Sequence, residues 1–456
     1  MRSSSKIILT RASKLWYARA LTSGRYPFIM QEMHAKYGDV LRTSPNELSF
    51  ANPETYKEIY NHANKDRKAF LKGPWYQRPE PEPSIVHTTD PLDHSMQRKS
   101  LSHAFSSKSL RDDEYVVQKY VTLFIEQLGK LGAPGTEGIN LSEAFNWITF
   151  DVIGDLTFGE PFNAVVEGKP NFWISLILDA TYFAMVSMAA KRIFALKLML
   201  PFIMLKDAKE HFKTHRKLTD EKLQKRIKQG GNRDREDFFA HILRKGNFTL
   251  GQLRTQSIVL TVAGSETTST LLSGTTYFLL KTPEVLEKLQ REVRSAFSSP
   301  DEITGDATNH LPYLRAVVEE GLRLFPPAAS GLQRVSPGAT IDGHWIPEGT
   351  LVATDMFATT HDSRNFQQPW EFKPERWLDP GFGDNKEASR PFSIGPRACI
   401  GVNLAYMEIR VTLAKMVYAF DMELVNKDLD WWRDVRFYIL WTKPKMMVRF
   451  HPRKTE

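Results

Sequence analysis

One long helical segment near the middle of the chain constrains the fold more than any other feature of the sequence. Thr249 and Gln252 have the Thr-x-x-Gln pattern of a capping box, and Pro283 marks a point beyond which a helix cannot continue. The sequence therefore predicts a helix from about Leu250 to Leu280. At ~1.5 Å per residue it would be roughly 45 Å long, enough to cross a whole domain, so we expect it at the centre of the fold.

The remaining pattern predicts a mainly α fold with small β-sheets. Helical periodicity dominates from Leu110 to about Arg294, and another helix, from about Tyr313 to Leu324, ends at Pro326-Pro327. No Pro/Gly/Ser linker, low-complexity run or repeat divides the chain, so we expect residues 1–456 to form a single domain.

Three stretches carry strand and hairpin signals. DVLRTSPNELSFA, residues 39–51, reads as strands broken by a Ser-Pro-Asn turn. Asp342-Gly343 lies between apolar flanks in ATIDGHWI, which is a strong hairpin signal. FYILWTKPKMMVRF near the C-terminus is a second hairpin candidate.

Charge and cysteine content limit the class of protein. The formal charge of +8 comes from 61 basic and 53 acidic residues spread along the chain, without the long Lys/Arg block that tracks nucleic acid, so we expect no nucleic-acid partner. A solvated surface explains this mild excess, and an acidic partner or an anionic membrane is the alternative. A single cysteine forms no internal disulfide, so nothing requires an oxidising compartment.

The middle of the long helix, AGSETTST, carries groups that an apolar helix would ordinarily avoid. Gly264 costs about 1 kcal/mol relative to Ala in a helix interior, and a buried carboxylate and hydroxyls need partners. A neighbouring helix packed on Gly264, with the polar residues at the surface, is one explanation. The other is a flat ligand against Gly264, with Glu266 and Thr267 handling protons beside it. The Thr267 hydroxyl could also bind a backbone carbonyl and open the helix locally.

A charged pair follows in EEGLRLFPP. Glu320 and Arg323 share a helix face at i and i+3, and as an exposed pair they would contribute only a few tenths of a kcal/mol, roughly. The pair becomes significant for the fold only if it is buried. Arg376, in FKPERW, could join it.

The only cysteine, Cys399, lies in FSIGPRACIGV just before a segment with helical periodicity. A helix N-terminus favours an anion and lowers a thiol pKa. Gly395 and Gly401 would let the backbone lie close to a ligand or adopt positive φ in a tight loop. Arg397 supplies a positive charge for an acidic group nearby. This arrangement suits a thiolate that ligates a metal. A buried inert cysteine and a cysteine nucleophile are the alternatives, although no His base is identified for the latter.

These stretches together resemble one family. FSIGPRACIG matches F-x-x-G-x-R-x-C-x-G, the haem-binding signature of cytochrome P-450 enzymes. AGSETT resembles their oxygen-activating helix motif, EGLR their E-x-x-R motif and PERW their P-E-R-F-type segment, in the family's order and at roughly its spacing. MHAKYGDVLRTSPNELSF and DHSMQRKSLSHAFS are similar to fungal microsomal members of secondary metabolism, in the group that contains isotrichodermin C-15 hydroxylase. The resemblance runs from about Lys14 to the C-terminus and implies the cytochrome P-450 fold, with the long central helix over the haem.

The resemblance also implies residue roles. Cys399 would be the thiolate ligand of the iron in haem b (iron protoporphyrin IX), and Phe392 would pack beside it. The haem contacts would come from Arg397, His94, Arg98, Arg334 and Gly264. Thr267 and Glu266 would deliver protons to dioxygen, and Glu320, Arg323 and Arg376 would form a buried network that supports the haem loop. Glu319 is also within helical reach of Arg323, but the motif register favours Glu320.

By resemblance, the chain is a haem-thiolate monooxygenase that hydroxylates or epoxidises a hydrophobic secondary metabolite, terpenoid or polyketide-like, in a fungal biosynthetic pathway. It would use O2 and electrons from NADPH through an NADPH-cytochrome reductase. The pocket would draw on Trp75 to Val86, the central helix, Ala328 to Leu332, and Leu440-Trp441. Two alternatives stand beside this reading: an isomerase or dehydratase of the same family that needs no reductase, and a non-catalytic binder of haem or of a hydrophobic ligand.

The resemblance implies a location at the cytosolic face of the endoplasmic reticulum membrane. The sequence departs from microsomal members because residues 1–13 read as a short basic tail without a membrane anchor, a pattern that also fits a soluble or a mitochondrial protein. Trp173 to Ala190 reads as a buried or membrane-facing helix that carries Asp179. Arg192 to Lys206 resembles the family's interfacial region, so we expect peripheral membrane contact.

Overall fold

The structure is a computed structural model that describes residues 14–65, 67–77, 82–169, 172–191, 193, 206–230, 237–245 and 248–453. The predicted basic tail, residues 1–13, lies outside these described residues. So does the predicted interfacial segment, residues 192–206, except for residues 193 and 206.

Helices account for most of the described chain, as the sequence predicts. In chain order they are α1 (Leu15–Thr22), α2 (Tyr26–Tyr37), α3 (Thr55–Tyr60), α4 (Pro91–Ser102), α5 (Ser107–Asp112), α6 (Glu114–Leu131), α7 (Leu141–Phe158), α8 (Ala164–Glu167), α9 (Phe172–Lys191), α10 (Lys206–Lys228), α11 (Phe238–Lys245), α12 (Leu250–Lys281), α13 (Pro283–Ala296), α14 (Gly305–Asn309), α15 (Pro312–Leu324), α16 (Met356–Thr360), α17 (Glu375–Leu378), α18 (Val402–Ala419) and α19 (Trp431–Asp434).

The strands are short and form small sheets. They are β1 (Val40–Ser44), β2 (Glu47–Phe50), β3 (Leu71–Lys72), β4 (Ile139–Asn140), β5 (Arg334–Val335), β6 (Ala339–Ile341), β7 (His344–Ile346), β8 (Leu351–Thr354), β9 (Phe420–Leu424), β10 (Arg436–Tyr438), β11 (Leu440–Thr442) and β12 (Met447–Pro452). One sheet has the order β1-β2-β8-β5-β3, in which only β2 and β8 pair in parallel. Another has the order β4-β12-β9, and β6-β7 and β10-β11 are two-stranded.

The central helix α12 begins as the sequence predicts. The Thr249 hydroxyl accepts from the Gln252 N–H, and the Gln252 side chain accepts from the Thr249 N–H, each at 3.1 Å, so the capping box is confirmed. Several hydroxyls of α12 donate to the carbonyl four residues earlier, for example Ser265 to Thr261. Helix α7 packs along α12, and both belong to the main hydrophobic core.

The three hairpin predictions are confirmed. Residues 39–51 form the antiparallel pair β1-β2, and Asp342-Gly343 turns β6 into β7, so both are confirmed. The second candidate, FYILWTKPKMMVRF, contains the antiparallel hairpin β10-β11 and is confirmed as well. The tight turn lies at Ile439, between β10 and β11, whereas β12 pairs with β9 and β4. Pro444 lacks the N–H that would continue the ladder, and β12 finds partners elsewhere.

The stretch from Trp173 to Ala190 is helical and lies within α9. No helix in the part of the chain that the structure describes is both long and apolar enough to cross a membrane.

Candidate functional site

Cys399 lies in a tight loop between a 3₁₀ turn, Gly395–Arg397, and the start of α18, as predicted. Its backbone N–H donates to the Phe392 carbonyl at 2.9 Å, which closes the loop. Gly395 has φ +74°, and a Cβ there would lie 2.1 Å from the Tyr60 carbonyl oxygen, so this position requires glycine. Gly401 has an ordinary φ of −88°, and a Cβ there would meet only the Phe105 ring at 3.8 Å.

The Cys399 thiol is accessible, yet the protein around it desolvates the charged form. Desolvation raises the thiol pKa, and a hydrogen bond from the Gly401 N–H and the Arg98 charge only partly oppose it. The prediction of a lowered thiol pKa is therefore wrong for the protein chain alone, because desolvation outweighs the Gly401 hydrogen bond and the Arg98 charge. Coordination to a metal ion would lower the thiol pKa instead, since a ligating thiol is deprotonated outright.

Cationic side chains surround the cysteine loop. Arg98 of α4 donates to the Ala398 carbonyl at 2.7 Å, directly before the cysteine, and Arg397 donates to the Thr88 carbonyl at 2.8 Å. His94, one turn before Arg98, is buried. The structure thus brings together Arg98, Arg397 and His94 beside Cys399, although α4 and the loop lie far apart in sequence.

Two further cations reach this region from the sheet. Arg334 on β5 pairs in register with Lys72 on β3, and both side chains are buried. Like charges directly opposite each other destabilise a sheet unless an anion lies between them. Sequence reasoning missed Lys72. Its position opposite Arg334 depends on the pairing of β3 with β5, which the sequence did not reveal.

We call Lys72, His94, Arg98, Arg334 and Arg397 the basic cluster. Desolvation and then the neighbouring Arg397 and Arg334 lower the pKa of Lys72 to about 6. Desolvation and then Arg334 lower the pKa of Arg397 to about 10, and desolvation with the cluster's cations lowers that of His94 to about 4. Within the described residues, no member of the cluster forms a salt bridge with a carboxylate at 4.0 Å or less. The basic cluster therefore favours an anionic ligand.

The central helix presents the predicted Ala-Gly-Ser-Glu-Thr-Thr residues in different directions. Ala263 is exposed, and the half-buried Thr267 donates from Oγ1 to the Ala263 carbonyl at 2.7 Å, although α12 continues without a break. A Cβ on Gly264 would lie 2.7 Å from Ile153 Cδ1 of α7, so close helix packing explains this glycine. Its predicted contact with a flat ligand stays a prediction.

Glu266 points elsewhere. It is fully buried, and its Oε2 lies 3.1 Å from Nζ of Lys443, a residue that no motif had indicated. The carboxylate is thus paired in the interior, not at the surface.

The E-x-x-R residues form a fully buried ionic network. Glu320 Oε1 accepts from Arg323 at 2.8 Å and from Arg376 at 3.1 Å, and Oε2 accepts from Trp377 Nε1 at 2.9 Å. Arg376 also binds Asp384. Burial alone would raise the pKa of Glu320, but the two arginines reverse this and hold it below its usual value.

Glu319, the alternative partner for Arg323, faces away from this network. Its Oε1 accepts from the Tyr406 hydroxyl at 2.7 Å. Sequence reasoning missed Trp377 and Asp384, which complete the network and which only the folded chain brings to it.

The segments predicted to line a pocket contact one another in part. Gln256 of α12 accepts from the Ile85 N–H at 3.3 Å, and Trp441 is buried against Phe325 with its Nε1 donating to the Pro326 carbonyl at 2.9 Å. A separate cavity of about 440 Å³ lies between α5, α15 and α18 and is lined by acidic and basic residues, among them Arg315, Glu319 and Arg410. None of the predicted cofactor ligands lines that cavity.

The residues beside Cys399 fit a haem. The Cys399 thiol would supply one ligand to a metal that brings its own chelate. The basic cluster fits the two carboxylates that such a chelate carries, and helix α18 packs against α12. A mainly helical fold with a cysteine loop of this kind defines a thiolate-ligated haem protein.

Comparison with known proteins agrees with this class. Residues 11–450 match the cytochrome P-450 family model, and the chain belongs to that family. The cytochrome P-450 monooxygenase BOA3 of Botryotinia fuckeliana is 40% identical over 459 residues, covering 97% of this chain and 90% of that protein. The monooxygenase hepD of Aspergillus oryzae is 40% identical over 456 residues, 98% of this chain and 90% of that protein. The monooxygenase BOT4 of Botryotinia fuckeliana is 37% identical over 454 residues, covering 97% of this chain and 85% of that protein.

The chain is therefore a haem-thiolate monooxygenase, an oxidoreductase that takes electrons from a redox partner. The sequence-based assignment to this family is confirmed.

Proposed function

We propose that this enzyme hydroxylates or epoxidises a hydrophobic secondary metabolite, terpenoid or polyketide-like, in a fungal biosynthetic pathway. It uses O2, haem b and electrons from NADPH delivered by a cytochrome reductase, and residues 1–456 act as one catalytic domain. The observation that carries the proposal is the accessible Cys399 thiol inside the basic cluster. A thiolate-ligated haem supplies the activation of dioxygen and the transfer of one oxygen atom to the substrate.

The chain's own residues hold and shape this site. Cys399 would ligate the iron. The carbonyl of Phe392 accepts from the Cys399 N–H, and its side chain would pack beside the sulfur. The two carboxylates of the chelate would be bound by Arg397, Arg98, Arg334 and His94, together with Lys72. Gly264, which admits Ile153 of α7 against the central helix, would lie along the haem on this helix.

The buried Glu320 network has a structural role in this proposal. Four charges, those of Glu320, Asp384, Arg323 and Arg376, balance one another without exposure. The network thus fixes the segments that precede the cysteine loop.

Thr267 and Glu266 move protons in this proposal. We expect Thr267→Ala to lower the product formed per NADPH consumed by about tenfold, less than the roughly hundredfold or more of a full acid–base group, because the hydroxyl that donates to the Ala263 carbonyl at 2.7 Å would be lost. The measurement is the ratio of peroxide to product during NADPH oxidation. Thr268→Ala, which changes the adjacent buried threonine, is the control, and equal ratios in Thr267→Ala and wild type would contradict the role.

The expressed protein tests the proposed function directly. Reduced in the presence of carbon monoxide, it should give the strongly red-shifted Soret band of a thiolate-ligated haem, and product formation should require both NADPH and O2. Product without either would support the isomerase or dehydratase alternative. Haem binding without any product from a panel of terpenoids and polyketides would favour a non-catalytic binder.

We propose further that the enzyme contacts the cytosolic face of the endoplasmic reticulum membrane peripherally. The support is sequence pattern: basic residues flank the apolar segment of residues 192–206. Replacing Phe194, Leu198 and Phe202 by serine should move most of the protein from the lipid fraction to the bottom fraction in liposome flotation. The same substitutions at the exposed Leu92 and Met96 are the control, and unchanged flotation of the triple variant would contradict the contact.

A further inference from the structure

Lys443 is the cation that the fold places against Glu266. It follows β11, its side chain is 4% exposed, and that of Glu266 is 0% exposed. Lys443 Nζ lies 3.1 Å from Glu266 Oε2, 3.1 Å from Ser269 Oγ and 3.2 Å from Asn146 Oδ1. The ammonium therefore joins the C-terminal segment to α12 and α7.

The surroundings of Lys443 match a charged lysine. An ammonium group has three N–H donors and no acceptor, and three oxygen atoms lie within bonding distance. The two neutral acceptors are themselves fixed, because the Ser269 hydroxyl donates to Asn146 Oδ1. All three contacts of the ammonium are thus held by helices that pack along each other.

The two oxygens of Glu266 have different environments. Oε2 binds Lys443, whereas Oε1 is buried and has no hydrogen-bond partner. A buried carboxylate oxygen without a partner is costly, so Oε1 is the atom that gains most from accepting a proton. Residues 266 and 269 lie on one side of α12, and Thr267 is turned by about 100° from Glu266 around the helix axis.

We propose that Lys443 is a positioning residue for Glu266. It binds the carboxylate at Oε2 and so leaves Oε1 to receive a proton and pass it on toward Thr267. Arrival of a proton on Oε1 converts the carboxylate into the acid, and its departure restores the anion beside the ammonium, so no charge accumulates over one transfer. This inference rests on the proposed function.

Removal of the lysine charge would leave Glu266 buried without a cation. A buried carboxyl group without a partner favours its neutral form, which cannot accept a proton, and it also loses the contact that fixes its direction. Lys443 therefore acts through Glu266 and should lose its effect when Glu266 is replaced.

The first measurement is NADPH consumption by the haem-loaded enzyme with a cytochrome reductase, without added substrate, in H2O and in D2O. Lys443→Met should lower the rate about tenfold, less than a full acid–base group contributes, and increase the solvent isotope effect. Lys443→Arg should retain most of the rate. In the Glu266→Gln background, Lys443→Met should cause no further loss.

Lys415→Met is the matched control. Lys415 is also a lysine of the interior, 5% exposed, and its Nζ contacts the neutral Thr122 hydroxyl at 3.3 Å. Its replacement should leave both the rate and the isotope effect at the wild-type values.

The second measurement does not depend on turnover. In denaturant unfolding of the same variants, Lys443→Met should destabilise the wild-type background more than the Glu266→Gln background, because a neutral amide needs no cation. A wild-type rate and isotope effect in Lys443→Met, or an undiminished loss in the Glu266→Gln background, would overturn the inference. A wild-type protein without the thiolate band would overturn the proposed function and this inference with it, while the unfolding cycle would still report on the ion pair.

Discussion

Cys399→Ser is expected to abolish the red-shifted Soret band of the carbon monoxide complex and to lower turnover by at least about a thousandfold, or roughly 4 kcal/mol in activation free energy. Serine preserves the 2.9 Å hydrogen bond from the backbone N–H of residue 399 to the Phe392 carbonyl, so the loop should keep its shape. An alcohol is far less acidic than a thiol and does not supply the electron-rich anion that the chemistry needs. The measurement is the difference spectrum together with product formation.

Ile400→Val is the matched control for this prediction. It changes the next residue of the same loop by one methylene and leaves every polar atom in place, so both the band and turnover should persist. A red-shifted band in Cys399→Ser would mean that another group ligates the iron and would refute the assignment of Cys399.

Arg323→Met is expected to destabilise the protein by about 3–5 kcal/mol, the usual cost of removing one partner from a buried ion pair. Glu320 would lose contacts at 2.8 and 2.9 Å, and the carbonyls of Thr360 and Pro369 would lose their donor. With an unfolding entropy of about 2.1 cal/mol/K per residue, a chain of 456 residues should show a Tm lower by roughly 3–5 °C.

The exposed pair of Arg291 and Glu287, 72% and 70% exposed, provides the control. Arg291→Met should change stability by less than about 0.5 kcal/mol, because solvent screens such pairs. If Arg323→Met does not fold, Arg323→Lys retains the charge without the second donor and should show a smaller decrease in Tm. Equal Tm values for Arg323→Met and Arg291→Met would contradict the importance of burial.

Sequence reasoning was most reliable where the interactions are local. The capping box at Thr249, the Asp342-Gly343 turn and the start of a helix after Cys399 all depend on residues within a few positions, and all are confirmed. The register of the E-x-x-R motif also selected Glu320 over Glu319, as the contacts of Arg323 bear out.

It was less reliable where distant segments decide the outcome. The partners of β12 were not predicted, since β9 and β4 are separated from it by long stretches of sequence. The thiol pKa of Cys399 was predicted in the wrong direction, because the helix terminus is visible in the sequence and the desolvation by surrounding segments is not.

By itself, the sequence determined the mainly helical class, the position of the single thiol at a helix start and the residues of the cytochrome P-450 motifs. Those features follow from caps, turns and spacings that each segment carries within itself. Only the tertiary structure decided that Lys72 faces Arg334 and that Lys443, 177 residues from Glu266, neutralises its buried carboxylate. A buried charge takes its partner from whichever segment the packing brings near, and no local pattern records that choice.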